Sequence, residues 1–267
     1  MDNIFSRPEF IYKKLNEKIE TGDELLLKKV DYTLLKPEAT EEDIIELCEK
    51  ADMLGVKSVC VLPKMVKTAA YALKRSDVLV CTVISFPHGT DTTGQKFVEC
   101  KKAIINGADE CDMVLNYPLL KEIYKLTIDT EDKEYNKLKN DVWKLYKECH
   151  YNHKNKNGDP VTLKVIVESG LLTDDETRVA TEICIDVEAD FIKTSTGMVA
   201  IGAELEKVQM MKKTIKDYDS NMKIKASGGL RTLADLQKFN PLVDRFGVGS
   251  AAIDKIFGEG GEATGNY

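Results

Sequence analysis

The sequence predicts a single (β/α)₈ (TIM) barrel, and three observations carry the prediction. Short apolar runs alternate with longer amphipathic ones along the whole chain, the pattern of repeated βα units. Eight such short runs fall in 267 residues, the strand number and length of a barrel whose parallel strands are covered on both faces. The turn after the first run, "TLLKPEAT", has none of the G-x-G-x-x-G glycines that open a doubly wound dinucleotide sheet.

Taken in order, the pattern predicts an extra N-terminal helix over 8–20, then a first strand at 30–35 (VDYTLL). "TEEDIIELCEKADMLG" follows as a helix: Thr40 and Asp43 form a capping signal at its start, and Gly55 stops it. Strands at 58–62 and 78–84 are followed by helices at 64–75 and 93–106, and the fourth strand occupies 111–116. The fourth βα unit is enlarged. Polar stretches, "IDTEDKEYNKLKN" and "HYNHKNKNGDP", bracket a helix holding Trp143, so 127–160 is expected to be a surface elaboration of the barrel and not a second domain. Strands at 162–168, 190–194, 222–226 and 245–248 then alternate with helices at 174–188, 203–217, 232–239 and 250–257. One barrel domain is expected over 1–257. The glycine-rich "GEGGEATGNY" at 258–267 is expected to be a flexible tail.

Composition narrows the classes of function. Hydrophobic residues at 43% and charged residues at 31% describe an ordinary globular protein, and a net charge of -7 argues against nucleic acid as the partner. The seven cysteines are odd in number and form no C-x-x-C pair, and several sit in strand-like apolar runs; reduced thiols in the cytoplasm are expected. Three histidines lie far from any ligand set of metal spacing, so no metal is expected. No apolar run reaches membrane length, and "MDNIFSRPEF" lacks a signal-peptide core. An apolar exposed helix face would mark a homodimer.

The unusual charges fall on the strands, where a barrel collects its functional groups at the C-terminal ends. Lys193 lies in "ADFIKTSTG", Lys225 in "KIKASGG", Lys164 and Glu168 in "LKVIVE", Asp112 in "CDMVLN", and Asp31 just before "YTLLK". At a period of two, Phe191, Lys193 and Ser195 share a face, as do Lys223, Lys225 and Ser227, and Asp112, Val114 and Asn116. If these faces point inward, two ammonium groups on neighbouring strands meet two carboxylates in a confined space. A second cation ~5 Å from a lysine, at an effective dielectric of about 20, disfavours its charged form by roughly 3 kcal/mol, or about two pKa units. Such a lysine is a nucleophile that forms a Schiff base with a carbonyl, and the protonated imine is an electron sink for the adjacent carbon–carbon bond. A lone strand-end lysine more commonly snorkels to solvent. Lys164 is an alternative nucleophile, or a structural partner of Glu168 or Asp112.

Glycine-rich turns follow the last three strands: "TSTG" to Gly197, "SGG" at 227–229 with Arg231 beyond, and "GVGS" at 247–250. Backbone N–H groups in such turns, with a helix N-terminus, suit a phosphate, and together the turns favour a phosphorylated substrate.

In their order along residues 30–257, "DYTLLKPEAT", "VCVLP", "GADECDMVLN", "LKVIVESGLLTDDE", "ADFIKTSTG", "KIKASGGLRT" and "RFGVGSAA" resemble the deoxyribose-phosphate aldolases, class I aldolases on a (β/α)₈ barrel. The resemblance implies cleavage of 2-deoxy-D-ribose 5-phosphate to D-glyceraldehyde 3-phosphate and acetaldehyde, without metal or other cofactor. It implies Lys193 as the Schiff-base lysine, Lys225 as the lysine that lowers its pKa and moves protons, Asp112 as the relay carboxylate, and Asp31 as a supporting acid. Substrate and phosphate contacts are expected at Thr194, Gly197, Gly228, Gly229, Arg231, Gly249 and Ser250. The terminal Tyr267 resembles a tail tyrosine that assists proton transfer in some members. Two features depart from the pattern. Met198 follows "KTSTG" where some relatives carry lysine, and the 127–160 insertion is absent from compact members. A Schiff-base aldolase for another sugar phosphate, and a barrel retained as a binding or scaffold protein, are the competing functions; an intact charge cluster argues against the latter.

Overall fold

Eight parallel strands close into a barrel in sequence order in the computed structural model, which describes residues 21–125 and 133–257. They are β1 (Val30–Leu34), β2 (Ser58–Val61), β3 (Leu79–Ile84), β4 (Glu110–Val114), β5 (Thr162–Ile166), β6 (Phe191–Lys193), β7 (Lys223–Ser227) and β8 (Arg245–Gly249), with β8 pairing back onto β1. The described helices are α1 (Thr21–Leu27), α2 (Glu41–Leu54), α3 (Val66–Ala72), α4 (Thr93–Ile105), α5 (Tyr117–Lys125), α6 (Lys133–Lys147), α7 (Asp174–Asp186), α8 (Leu205–Asp217), α9 (Leu233–Phe239) and α10 (Ser250–Phe257). The helix expected over 8–20, the tail 258–267 and Tyr267 lie outside the described residues.

One sequence device starts four of the helices. Thr40, Thr92, Thr173 and Thr232 each accept a hydrogen bond from the backbone three residues on, and Asp43, Gln95, Glu176 and Asp235 each reach back to the threonine N–H. These reciprocal bonds satisfy two otherwise orphaned N–H groups apiece, which is why the chain turns from strand to helix at those points. Gly55, at φ 64°, supplies the left-handed stop that ends α2.

The apolar core is a ring between sheet and helices, built from outward-facing strand residues such as Val59, Val80, Ile192, Ile224 and Val248 and from helix residues such as Leu47, Cys100, Ile183 and Met211. The barrel interior differs in kind. Its small apolar cluster is Cys60, Cys81 and Val83, with Leu35, Leu62 and Phe86 packed against it, and charged side chains fill the rest.

Two short helices, α1 and α5, were not predicted. Helix α5 starts beside Asn116, whose Oδ1 accepts from the Leu119 N–H. The enlarged fourth unit holds the helix expected around Trp143, with an earlier start. Helix α6 begins inside the stretch taken as polar bracketing and buries Tyr135, Leu138, Val142, Leu145 and Tyr146, so it is part of the barrel's helical layer. Its apolar residues recur at helical spacing within a lysine-rich run, which hides them from a composition-based reading. A π-helical turn (Glu148–Asn152) follows, and then a polar segment that bonds to residues just ahead of β3 and β4. There the Lys156 N–H donates to Asp109 Oδ1 at 2.8 Å, and Lys156 Nζ donates to Ser76 O at 2.9 Å.

Candidate active site

Register brings the charged strand residues together. Lys193 is directly opposite Lys225, Lys225 is opposite Arg245, and Asp112 is opposite Lys164. Because parallel neighbours in register point the same way, all of these side chains enter the barrel. Lys193 Nζ donates to Asp112 Oδ2 at 2.8 Å, and Lys225 Nζ donates to the same oxygen at 2.7 Å. The two ammonium nitrogens are therefore no farther apart than those two bonds laid end to end. Lys225 also donates to Asp31 Oδ2. Gly247 makes that reach possible: a Cβ there would stand 3.3 Å from Lys225 Cε and 2.7 Å from Ser227 Cβ.

Lys164 occupies the next position round. Its Nζ donates to Glu110 Oε2 at 2.6 Å and Asp112 Oδ1 at 2.8 Å, and it lies 3.6 Å from Asp31 Oδ2. Below it, Arg245 reaches Asp31 Oδ1 at 2.5 Å and spans both oxygens of Glu110 at 3.0 and 3.1 Å. Ser58 Oγ completes the shell of Asp31 at 2.7 Å. Four cations thus share three carboxylates. Lys164 touches three carboxylates, Lys225 two and Lys193 one. Lys193 is also the lysine nearest the open end, with 3% of its surface exposed against 0% for Lys164 and Lys225.

Burial favours the neutral forms of Asp31, Asp112, Lys164 and Lys225, and their mutual pairing overrides it. Burial raises the pKa of Asp112, but Lys164, Lys193 and Lys225 hold it well below the usual carboxylate range. Asp31 is likewise held low, against burial, by Arg245, Lys225 and Lys164. Burial lowers the Lys225 pKa, yet Asp112 and Asp31 together raise it above the ordinary lysine value. Lys164 is raised in the same way, chiefly by Asp112. Pairing thus favours the ammonium form of both lysines. Glu168 is different in kind: burial pushes its pKa up, and Thr196 holds it through a backbone N–H at 3.2 and 3.3 Å and through its hydroxyl.

The glycine turns converge above this layer. Gly228, at φ 80°, carries a backbone that few side chains tolerate, and its O accepts from the Ala203 N–H at 3.0 Å. Gly202 packs so closely that a Cβ on it would fall 2.2 Å from that oxygen. Gly197, Gly229, Arg231 and Gly249 are exposed around the same rim, and Ser250 begins α10. Thr194 stands apart from the expected contacts. It is fully buried, and its hydroxyl links to the backbone O and N–H of Ser227 at 3.2 and 3.1 Å, tying β6 to β7. A cavity of about 430 Å³ lies outside β1, between α2 and α10, with Tyr32, Lys36, Lys50 and Ser250 in its wall; the interior lysines do not line it.

Sequence reading missed Glu110 and Arg245. The signal for Glu110 was its parity with Asp112, two residues away on one strand. Among the described residues three groups have ligand atoms close enough for a metal: Cys100/Cys111/Cys149, Cys60/Cys81/Asp112 and Asp31/Cys81/Glu110. The carboxylates of the last two groups are already bound to ammonium or guanidinium groups. In the first group the Cys111 thiol is pushed well up by its hydrogen bond with Cys100 and by burial. All seven cysteines are buried and unpaired, and among the described residues no helix is long and apolar enough to cross a membrane.

Residues 25–244 match the model of the DeoC/LacD family aldolases. The chain is 42% identical over 242 residues to a deoxyribose-phosphate aldolase of Staphylococcus carnosus, covering 90% of this chain and 98% of that protein. It is 45% identical over 213 residues to the one of Metamycoplasma hominis, covering 80% and 88%. Among solved structures, the tetrameric deoxyribose phosphate aldolase of Aeropyrum pernix superposes with a TM-score of 0.72 at 26% identity, over 93% of this chain and 96% of that one.

Proposed function

The chain belongs to the DeoC/LacD family of aldolases, and from that premise we propose that it reversibly cleaves 2-deoxy-D-ribose 5-phosphate to D-glyceraldehyde 3-phosphate and acetaldehyde through a Schiff base on Lys193. The observation that carries the assignment is the proton balance of the interior. Four cations meet three carboxylates, so one proton is in surplus. Arg245 cannot release it, and Lys164 and Lys225 each hold two or more carboxylates. Lys193 holds one and is the most exposed of the three interior lysines, so it is the amine least tied to the cluster and the one a carbonyl can reach.

The chemistry follows from that placement. The free amine of Lys193 adds to the C1 aldehyde of the open-chain sugar, and loss of water gives a protonated imine. Removal of the C3 hydroxyl proton breaks the C2–C3 bond; its electron pair enters the imine as an enamine while C3 leaves as the aldehyde of glyceraldehyde 3-phosphate. Protonation of the enamine at C2 and hydrolysis then release acetaldehyde and restore the lysine. Asp112, bonded to Lys193 and Lys225 through one oxygen, is the group suited to pass these protons, and Asp31 keeps Lys225 charged beside it. Gly197, Gly228, Gly229, Arg231, Gly249 and Ser250 are suited to the 5-phosphate, through exposed backbone at the rim and the start of α10. Tyr267 is assigned to proton transfer on the resemblance alone.

The test is reduction with borohydride in the presence of acetaldehyde, followed by peptide mapping. An ethyl group on Lys193 is expected. An adduct on Lys164, or none at all, removes the assignment, and turnover of other sugar phosphates at comparable kcat/KM removes the substrate.

A further inference from the structure

We propose that Glu110 and Arg245, the ion pair on the barrel floor, are positioning residues that set how readily the lysine layer gives up its surplus proton. The inference rests on Lys193 as the nucleophile. Glu110 precedes Asp112 by two residues on β4 and so shares its inward face one layer down. Arg245 opens β8 directly opposite Lys225. Among the hydrogen bonds and ion pairs of the described residues, neither is joined to Lys193. Each is joined to what holds it. Arg245 grips Asp31, which binds Lys225, which shares an oxygen of Asp112 with Lys193. Glu110 binds Lys164, which holds the other oxygen of the same Asp112.

The two charges push in opposite directions. Arg245 stays protonated and is the fourth cation that puts protons in surplus; without it three cations would meet three carboxylates, and the layer would keep its last proton to higher pH. Glu110 is one of the three acids; without its charge four cations would meet two, and the proton would leave at lower pH. The other groups facing the layer stay constant: Asp31 on β1, Cys60 on β2, Cys81 on β3, Asp112 on β4, Lys164 on β5 with Glu168 past its end, and Lys225 on β7. Lys223, at the start of β7, is exposed and lies 5.6 Å from the centroid of the Phe191 ring, which Arg245 also covers at 5.4 Å.

The experiment is the pH dependence of kcat/KM for 2-deoxyribose 5-phosphate in Glu110→Gln, Arg245→Met, Arg245→Lys and the double variant Glu110→Gln/Arg245→Met. A unit charge about 10 Å away at an effective dielectric of about 20 to 30 moves a titration by about one pH unit. The acid limb is therefore expected to rise by about one unit in Arg245→Met and to fall by about one unit in Glu110→Gln. It should return to the wild-type position in the double variant, where the surplus is again a single proton, and Arg245→Lys should stay near wild type. A merely structural pair would lower activity and stability with the limb unmoved, or move both single variants the same way; either result overturns the proposal. If Arg245→Met does not fold, the near-isosteric Glu110→Gln decides alone: an unmoved or raised limb overturns it. Acetaldehyde and borohydride labelling of each folded variant keeps the two readings apart. Label on Lys193 with an unmoved limb defeats the floor proposal only, whereas failure to label Lys193 in the wild type defeats the nucleophile assignment.

Discussion

Replacing Asp112 by Asn changes one oxygen to an amide nitrogen of nearly the same size and removes the charge shared by all three interior lysines. In the native protein its carboxylate accepts from Lys164 at 2.8 Å, Lys193 at 2.8 Å and Lys225 at 2.7 Å, and from the Cys81 thiol at 3.2 Å. At an effective dielectric of about 20, a contact near 2.8 Å carries roughly 6 kcal/mol of gross Coulomb attraction, almost all of it offset by desolvation. What survives in measurement is the cost of leaving buried charge uncompensated, about 3–5 kcal/mol. Four cations would then face two carboxylates, and the amide NH₂ in either orientation would face at least one of the three lysine donors. The sign of the pH effect follows from the depressed pKa of Asp112. A carboxyl that titrates lower in the folded chain than its unfolded value of about 3.9 contributes stability that is complete above that value and is lost as pH falls through the folded one. Urea unfolding at pH 7 should show the variant destabilised by about 3–5 kcal/mol, and the gap should narrow as pH is lowered below about 4. Aldol cleavage should fall by at least two orders of magnitude. A variant within about 1 kcal/mol of wild type at pH 7, with a constant gap down to acid pH, would refute the argument that this carboxylate is ionised and shared.

Lys193→Arg keeps the charge but offers no free amine, so turnover should drop to background and borohydride labelling should vanish. Lys225→Leu removes a cation held beside Lys193, and the acid limb of the pH–rate profile should move up by about two units, in addition to any loss of rate; an unmoved limb in a folded variant would separate the two amines functionally. Gly228→Ala forces a Cβ to 3.0 Å from Gly202 Cα at φ 80°, which should cost about 1–3 kcal/mol of stability and raise KM for the phosphorylated sugar several-fold with a smaller effect on kcat. Differential denaturation and steady-state kinetics on one preparation measure both effects.

Much of this protein is written in local sequence. Strand and helix order follows from period, and four helix starts follow from a threonine three residues ahead of Asp, Gln or Glu. The inward direction of Lys193, Lys225 and Asp112 follows from strand parity, because a side chain on a strand has only two faces to choose from. The helix around Trp143 was legible, but the early start and buried face of α6 were not: its buried residues are a minority of a lysine-rich stretch, visible only at helical spacing. Thr194 shows the limit of motif position, since it stands beside Lys193 yet points the other way and spends its hydroxyl on Ser227.

Partnership is another matter, because it depends on register between strands distant in sequence. That Asp31 meets Lys225 across 194 residues, that Arg245 meets Glu110 across 135, and that Lys164 takes two carboxylates at hydrogen-bonding distance while Lys193 takes one, is decided by how the barrel closes and staggers. Sequence alone identified Lys193, Lys225, Lys164, Asp112 and Asp31 but not Glu110 or Arg245, and the shared faces came from a two-residue period. Only the closed sheet determined the proton balance among them, because Coulomb energy depends on distances through space that no local pattern encodes.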